Sequence, residues 1–216
     1  MKTGIKLILH ALIWLLSRIF TYNFKVWICT KRNTLYTMWI RNFLGKVGEH
    51  SSIHYPCSLQ GGGAKRIIIG DGTCIHSHCI LGCWERYNAY DAEQFFTPSI
   101  IIGNHCSIGE YTQITSCINI TIGDGLLTGR YVYIGDNSHG GLSMEEAHIP
   151  PAQRRLLSKG KVKIGDNVWI GDKATILGGV IIGNNVIIGA NSVVTHSIPS
   201  DCIVTGAPAK IIKQLQ

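Results

Sequence analysis

The stretch IGDNVWIGDKATILGGVIIGNNVIIGANSVVT, residues 164–195, repeats itself every six positions. Glycine follows four of the six aliphatic residues that open the units. A period of six fits neither the 3.6-residue repeat of a helix nor the simple alternation of a strand. It predicts one short strand and one corner per unit, with three units closing a triangular turn and successive turns about 4.8 Å apart. The opening residues are Ile164, Ile170, Ile176, Ile182, Ile188 and Val194.

The same period occurs earlier in the chain, with units opening at Ile69, Ile102 and Ile122. Two segments, residues 82–99 and 136–161, do not fit it. The walls of a solenoid pack on neighbouring turns, so inserted residues must project as loops, and such loops commonly bind ligands. We therefore expect the functional site at these insertions.

Composition favours a mainly β solenoid over a helical bundle. The chain has 216 residues, of which only 15% are charged and 25 are glycine. The formal charge of +7 is concentrated in residues 1–46, which hold eight basic residues and no acidic one. The remaining 170 residues hold 12 basic and 13 acidic residues, a net charge of −1. No nucleic-acid partner is predicted.

Residues 1–47 are predicted to form an apolar, basic helical segment. Lys6 and Arg18 enclose only eleven residues, whereas a bilayer crossing needs roughly 20. No small-x-small cleavage site follows, which disfavours a signal peptide. Two interpretations stay open: helices that pack on the solenoid end or a neighbouring subunit, and an amphipathic anchor on an anionic cytoplasmic membrane face. A second helix is predicted over residues 35–44.

The eight cysteines are predicted to be free structural thiols, because none belongs to a C-x-x-C pair. Small buried thiols fill gaps in an apolar interior well. Free thiols favour a reducing compartment, so the expected location is the cytoplasm, with the N-terminal segment able to meet the inner face of the membrane. No metal site is predicted.

Five motifs, in this order and spacing, resemble the hexapeptide-repeat O-acetyltransferases of the maltose, galactoside and capsular-polysaccharide type. The resemblance covers about residues 48–213. It implies a left-handed parallel β-helix over residues 48–204, a short C-terminal extension over 205–216 that contacts the cofactor, and a homotrimer with active sites between subunits. Acetyl-CoA would be the co-substrate. The motifs are IGDNSHG at 134–140, SKG at 158–160, IGDNVWIG at 164–171, GANSVVT at 189–195 and GAPAK at 206–210.

His139 is the predicted general base. Acetyl transfer to a sugar hydroxyl requires removal of a proton from a very weak acid, which suits a neutral imidazole. His139 directly follows the repeat, and the resemblance matches it to the catalytic histidine of the family. Asp136 or Asn137 could orient the ring, or both could be ordinary corner residues. Relatives often carry a second histidine where this chain has Asn137, which we assign to substrate contacts.

The resemblance also implies a set of residues that hold acetyl-CoA. One is an aromatic ring beside the pantetheine, Trp169. A backbone amide near residues 171–172 would face the thioester carbonyl, where a fixed donor stabilises developing negative charge. Two C-terminal lysines would meet the phosphates of the nucleotide end. The complete set is Trp169, Gly171, Asp172, Ala190, Thr195, His196, Lys210 and Lys213.

Trp84 and Tyr87 in the first insertion are candidate sugar contacts. Aromatic faces with polar groups nearby suit sugars, but packing against a neighbouring subunit is an equal alternative. The predicted function is acetyl-CoA-dependent O-acetylation of a sugar in surface polysaccharide synthesis. Three other functions stay open: N-acetylation of an amino sugar, a non-catalytic trimeric scaffold, and a zinc carbonic anhydrase, for which the required histidine pair is not evident.

Overall fold

A computed structural model describes residues 2–141 and 143–215. Three sheets of mainly parallel strands form the walls of a left-handed β-helix. The six-residue period predicted the triangular coil, and the family resemblance implied its left-handed direction. Face 1 contains strands Lys46–Val47, Ile67–Ile69, Ile100–Ile102, Ile120–Ile122, Val162–Ile164 and Ile181–Ile182. Face 2 contains Ser52–Ile53, Cys74–Ile75, Ser107–Ile108, Leu127–Thr128, Trp169–Ile170, Ile187–Ile188, Cys202–Gly206 and Ala209–Gln214. Face 3 contains Cys57–Gln60, Cys79–Cys83, Gln113–Ser116, Tyr133–Gly135, Thr175–Ile176 and Val193–Val194.

Stacked aliphatic side chains fill the interior of the prism. Ile170 pairs with Ile188 on the next coil, and both are at most 1% exposed. Each such side chain contributes roughly 1.5–3 kcal/mol through burial. The parallel register repeats this alignment on every coil, so the core is one continuous column.

The corners between faces 1 and 2 are held by side-chain hydrogen bonds from coil to coil. Asp124 accepts a bond from the amide of Asn104 at 2.7 Å, and Asp166 accepts one from the amide of Asp124 at 2.8 Å. Left-handed backbone recurs at these corners, for example at Asn167 with a φ of 55°. Asn and Asp tolerate this conformation, which explains their place in the repeat.

Two helices precede the solenoid: α1, Lys2–Ile19, and α2, Tyr22–Ile40. The second helix therefore starts and ends earlier than the predicted 35–44. Its last turns cap the core, since Ile40 is 1% exposed and the Thr37 hydroxyl bonds to both backbone groups of Ile53. The large apolar side chains of α1 are exposed instead. No single described helix is both long and apolar enough to span a membrane, although α1 and α2, bent by 55°, pass that test as a pair.

Both insertions leave the prism after face 3 and contain their own short elements. The first carries an antiparallel hairpin of Arg86–Asn88 with Glu93–Phe95. The second pairs Ser138–His139 antiparallel with Leu156–Leu157 and carries the short helix α3, Met144–Ala147. At the other end of the chain, the last strand runs antiparallel and covers the edge of face 2.

On the strand Ile181–Ile182 one side chain points outward and the next points inward, and substitutions at the two positions test this assignment. We expect Ile182→Ala, at a site 1% exposed, to lower the free energy of unfolding by about 2–5 kcal/mol. Ile181→Ala, at the neighbouring site that is 48% exposed, should cost about 0.5 kcal/mol or less. Denaturant titration measures both, and equal losses would contradict the assignment of the two faces.

Candidate active site

His139 lies on a cleft between the two insertions and the outer side of face 3. Its strand pairs with Leu156 across the base of the second insertion, which leaves the imidazole exposed. The cleft has a volume of about 400 Å³. An imidazole with this placement is accessible to a small molecule in the cleft. The cleft is lined by Trp84, Tyr87, Gln113, Thr115, Tyr133, Asn137, Ser138, His139, Leu156 and Leu177.

Tyr87 determines which nitrogen of His139 carries the proton. The Tyr87 hydroxyl lies 3.1 Å from Nδ1 of His139 and 2.6 Å from the carbonyl oxygen of Ala152. A carbonyl oxygen only accepts, so the single hydroxyl proton goes to Ala152, and the hydroxyl oxygen must accept from Nδ1–H. The lone pair of the neutral ring is then on Nε2, which is the atom able to take a proton.

The two insertions are joined by direct contacts, although they lie far apart in the sequence. The Gln94 side chain exchanges two hydrogen bonds with the backbone of Leu156, at 2.7 and 3.1 Å. Arg155 forms an ion pair with Asp91, with Nε at 3.1 Å from Oδ1, and this contact holds the pKa of Asp91 below its usual value. These contacts bring Tyr87 to His139.

The Asp136 carboxylate is bonded to a neighbouring turn of the prism. Its carboxylate is completely buried and accepts bonds from the Ser116 hydroxyl and from the amides of residues 117–119, at 2.6–3.0 Å. Within residues 2–141 and 143–215, no hydrogen bond joins it to His139. The corner alternative is therefore the one that the geometry supports, and the orienting contact comes from Tyr87.

Asn137 and Trp84 lie on the wall of the cleft and share a neighbour. The Asn137 amide donates to the carbonyl of Thr115 at 3.2 Å, and the Trp84 indole donates to the Thr115 hydroxyl at 3.1 Å. Tyr133, also on this wall, has a raised pKa because it is partly buried and lies near the charge of Asp136. These side chains are fixed before a substrate arrives, and their placement leaves the predicted substrate contacts of Trp84 and Asn137 as predictions.

The amides expected to face the thioester differ from each other in availability. Gly171 donates its N–H to the carbonyl of Ile188 at 2.7 Å, so this amide is occupied. One coil earlier, the amide of Arg130 is bonded to the side chain of Asp172 at 2.8 Å. By the same pattern, the amide of Asp172 would bond to the side chain of residue 190, but Ala190 has no acceptor. Among the described residues the Asp172 N–H has no partner, and it is the available donor.

The other residues assigned to acetyl-CoA lie on more than one side of the prism. Trp169 is 52% exposed on face 2. Lys210 and Lys213 lie exposed on the final strand at the edge of that face. Thr195 and His196 follow face 3, with the Thr195 hydroxyl 2.8 Å from Nδ1 of His196. None of the eight residues assigned to acetyl-CoA lines the cleft of His139. Within one chain, the acetyl-CoA residues and the cleft residues are therefore separate.

Sequence reasoning missed the residues that join the insertions. Ala152 contributes a carbonyl oxygen, and Gln94 and Asp91 contribute polar side chains from a segment without periodicity. A carbonyl has no residue-type signal, and the pairing of two irregular loops has no spacing signal.

Comparison with known proteins agrees with this geometry. Residues 161–196 match the bacterial transferase hexapeptide (six repeats) family. The chain is 42% identical over 166 residues to WbbJ of Escherichia coli (strain K12), assigned as a lipopolysaccharide biosynthesis O-acetyl transferase, and covers 78% of it with 75% of its own length. A hexapeptide-repeat acetyltransferase from Vibrio cholerae O1 biovar eltor, solved with acetyl coenzyme A, is 28% identical. It matches with a TM-score of 0.52 over 82% of this chain and 74% of that one. The N-acyltransferase AntD from Bacillus cereus, solved with dTDP and coenzyme A, has a TM-score of 0.66 at 24% identity over 83% of this chain and 89% of that one, and therefore shows the fold alone.

The chain belongs to the hexapeptide-repeat O-acetyltransferases, the family that the motifs resembled. It is an acyltransferase with acetyl-CoA as co-substrate. The exposed residues assigned to the donor fit that co-substrate, as does the amide of Asp172, which has no partner within residues 2–141 and 143–215.

Tyr87→Phe tests the assignment of the histidine tautomer. The variant keeps the ring but removes the acceptor for Nδ1–H, a contact of about 0.5–1.5 kcal/mol. We expect kcat to fall roughly 2- to 13-fold, with the KM for acetyl-CoA unchanged, in a steady-state assay of thiol release. Tyr90→Phe, at the tip of the same hairpin, is the control. A Tyr87→Phe enzyme with the kcat of the wild type would contradict the assignment.

Proposed function

We propose that this protein transfers acetyl from acetyl-CoA to a hydroxyl of a sugar destined for a surface polysaccharide. The proposal depends chiefly on one observation, the exposed His139 whose Nδ1–H is held by Tyr87 and whose Nε2 is therefore basic. The relation to an O-acetyl transferase assigned to lipopolysaccharide biosynthesis supports the class of acceptor.

The chemistry is a direct transfer within a ternary complex. Nε2 of His139 takes the proton of the acceptor hydroxyl while its oxygen attacks the thioester carbon. The carbon–oxygen bond forms, the carbon–sulfur bond breaks, and the histidine returns the proton to the departing thiolate. The amide of Asp172 is the proposed donor to the developing negative charge on the carbonyl oxygen.

We propose that the complete site lies between two subunits of a homotrimer. The separation of the donor residues from the cleft of His139 supports this arrangement, since a neighbouring subunit can supply one group to the other. The exposed apolar side chain of Leu127 on the outer wall of face 2, at 47% exposure, is available for such contacts.

His139→Ala should remove acetyl transfer while leaving the fold intact. Loss of a general base typically costs about 10²–10⁴ in rate. The measurement is thiol release from acetyl-CoA with a panel of sugars, nucleotide sugars and oligosaccharides, and binding of coenzyme A should change little. His148→Ala, an exposed histidine of the same insertion, is the matched control. A His139→Ala enzyme that keeps more than about a tenth of the rate, a loss below roughly 1.4 kcal/mol, would exclude His139 as the base.

The panel includes amino sugars, so it also separates oxygen from nitrogen acceptors. Turnover of amino sugars alone would replace O-acetylation by N-acetylation with the same base. If no compound in the panel is acetylated, and the background release of thiol is unchanged by His139→Ala, both O-acetylation and N-acetylation are contradicted.

We also propose that α1 lies on the anionic inner face of the cytoplasmic membrane. Its large apolar side chains are widely exposed, for example Leu7 at 69% and Ile8 at 72%. The first 46 residues carry eight cations and no anion, and cations near an anionic surface add roughly 1 kcal/mol each. Burial of apolar area together with this attraction is typical of interfacial helices.

Vesicle flotation tests the membrane contact. Full-length protein should float with phosphatidylglycerol vesicles and less with phosphatidylcholine vesicles. A variant without residues 1–20, and the full-length Leu9→Glu/Ile13→Glu variant, should both stay in solution. The deletion spares Thr37 and Ile40, which pack on the solenoid. Met144→Glu, which changes an apolar side chain 75% exposed on the second insertion, is the control. Flotation of the truncated protein would contradict the proposal. It would also be contradicted if either variant changed its oligomeric state in solution but still floated with the vesicles.

A further inference from the structure

Three potential metal ligands meet on the outer side of face 2, away from the cleft of His139. His54 follows the first strand of that face, and Cys74 and His76 belong to the next coil. The register places Ile53 beside Ile75, so His54 lies beside His76. Side chains two apart on a strand share a side, and Cys74 therefore points outward with His76. All three side chains are half-buried.

The distances between the three side chains are those of a metal site. Their ligand atoms all lie within 4.8 Å of one another, and Sγ of Cys74 is 3.6 Å from Nε2 of His54. A thiolate and an imidazole bound to one tetrahedral zinc ion lie about 3.6 Å apart, given zinc bonds of about 2.3 and 2.0–2.1 Å. The two imidazole rings meet edge to face at 5.1 Å between centroids. Only small side-chain movements would bring all three to one ion.

Further polar groups on the following coils lie close to the three side chains. The Ser107 hydroxyl lies 3.5 Å from Nε2 of His76. On the next corner of this face, Glu110 forms an ion pair with Arg130 at 3.2 Å.

We propose that His54, Cys74 and His76 bind one divalent transition metal of the zinc class. One thiolate and two imidazoles are ligands that zinc prefers, and three protein ligands leave a fourth position for water or an outside ligand. The ion would join the first two coils next to the point where α2 docks, because Thr37 of that helix bonds to Ile53. Its role is structural and independent of acetyl transfer.

The spacing of these residues resembles no known metal motif, so the sequence alone predicts no metal here. His54 and His76 occupy positions where glycine follows the inward aliphatic residue in later coils, such as Gly171 and Gly189. A distance of twenty residues between His54 and Cys74 becomes a contact only through the coil register.

Cobalt titration of the full chain, first stripped with a chelator, tests the proposal. We expect one Co²⁺ per chain, with thiolate-to-cobalt charge-transfer absorption in the near ultraviolet that Zn²⁺ removes by displacement. Cys74→Ser should abolish this absorption. His54→Asn and His76→Asn should each weaken cobalt binding by about 10–100-fold or more. Loss of a residue that merely hydrogen-bonds to a metal ligand already has an effect of about 10–100-fold.

Cys29→Ser in α2 and His50→Asn are the matched controls and should bind cobalt like the wild type. His50 has a φ of 57°, a conformation that asparagine tolerates. Far-ultraviolet circular dichroism of each stripped variant checks folding. Should Cys74→Ser fail to fold, protection of Cys74 from alkylation by Zn²⁺ in the wild-type protein replaces it. The proposal is overturned if the wild type binds neither Co²⁺ nor Zn²⁺, if Cys74→Ser keeps the charge-transfer absorption, or if Zn²⁺ leaves alkylation of Cys74 unchanged.

Discussion

The parallel hydrogen bonding of one coil on the next is the constraint on which the other features depend. It aligns the inward aliphatic residues into one column and aligns the outward residues into rows. Close stacking leaves no room at some corners: a Cβ at Gly109 would lie 2.1 Å from the carbonyl oxygen of Gly129. Small residues at the corners and aliphatic residues between them are therefore requirements of the same stacking.

The rigid wall also explains how a loop can hold the imidazole of His139 in a defined place. Asp136 ends face 3 with a buried carboxylate that ties the chain to the turn at residues 116–119 on the preceding coil. His139 follows three residues later, so its backbone starts from a fixed point. Tyr87 and Ala152 then fix the ring from the two insertions. The imidazole is thus supported by the solenoid on one side and by both loops on the other.

Charge and exposed apolar surface are separated along the chain. The solenoid is nearly neutral, whereas the first 46 residues carry the positive charge. The two helices differ as well, because the end of α2 closes the core and α1 leaves its apolar side chains exposed. This division allows the N-terminal segment to associate with another surface without disturbing the packing of the prism.

The sequence by itself determined the solenoid, the positions of both insertions and the identity of His139 as the candidate base. The local repeat of six residues is sufficient for the solenoid and its interruptions, because each unit forms the same strand and corner, whereas His139 was identified through the resemblance of its motif to the family. Only the tertiary structure decided which side chains distant in the sequence come into contact. It placed the Tyr87 hydroxyl within hydrogen-bond distance of His139 and showed that the Asp136 carboxylate is bonded elsewhere. It also showed that the amide of Gly171 is bonded, whereas that of Asp172 has no partner among the described residues, and it brought His54 to Cys74 and His76. These relations depend on the register between coils and on contacts between irregular loops, and neither leaves a periodic trace in the sequence.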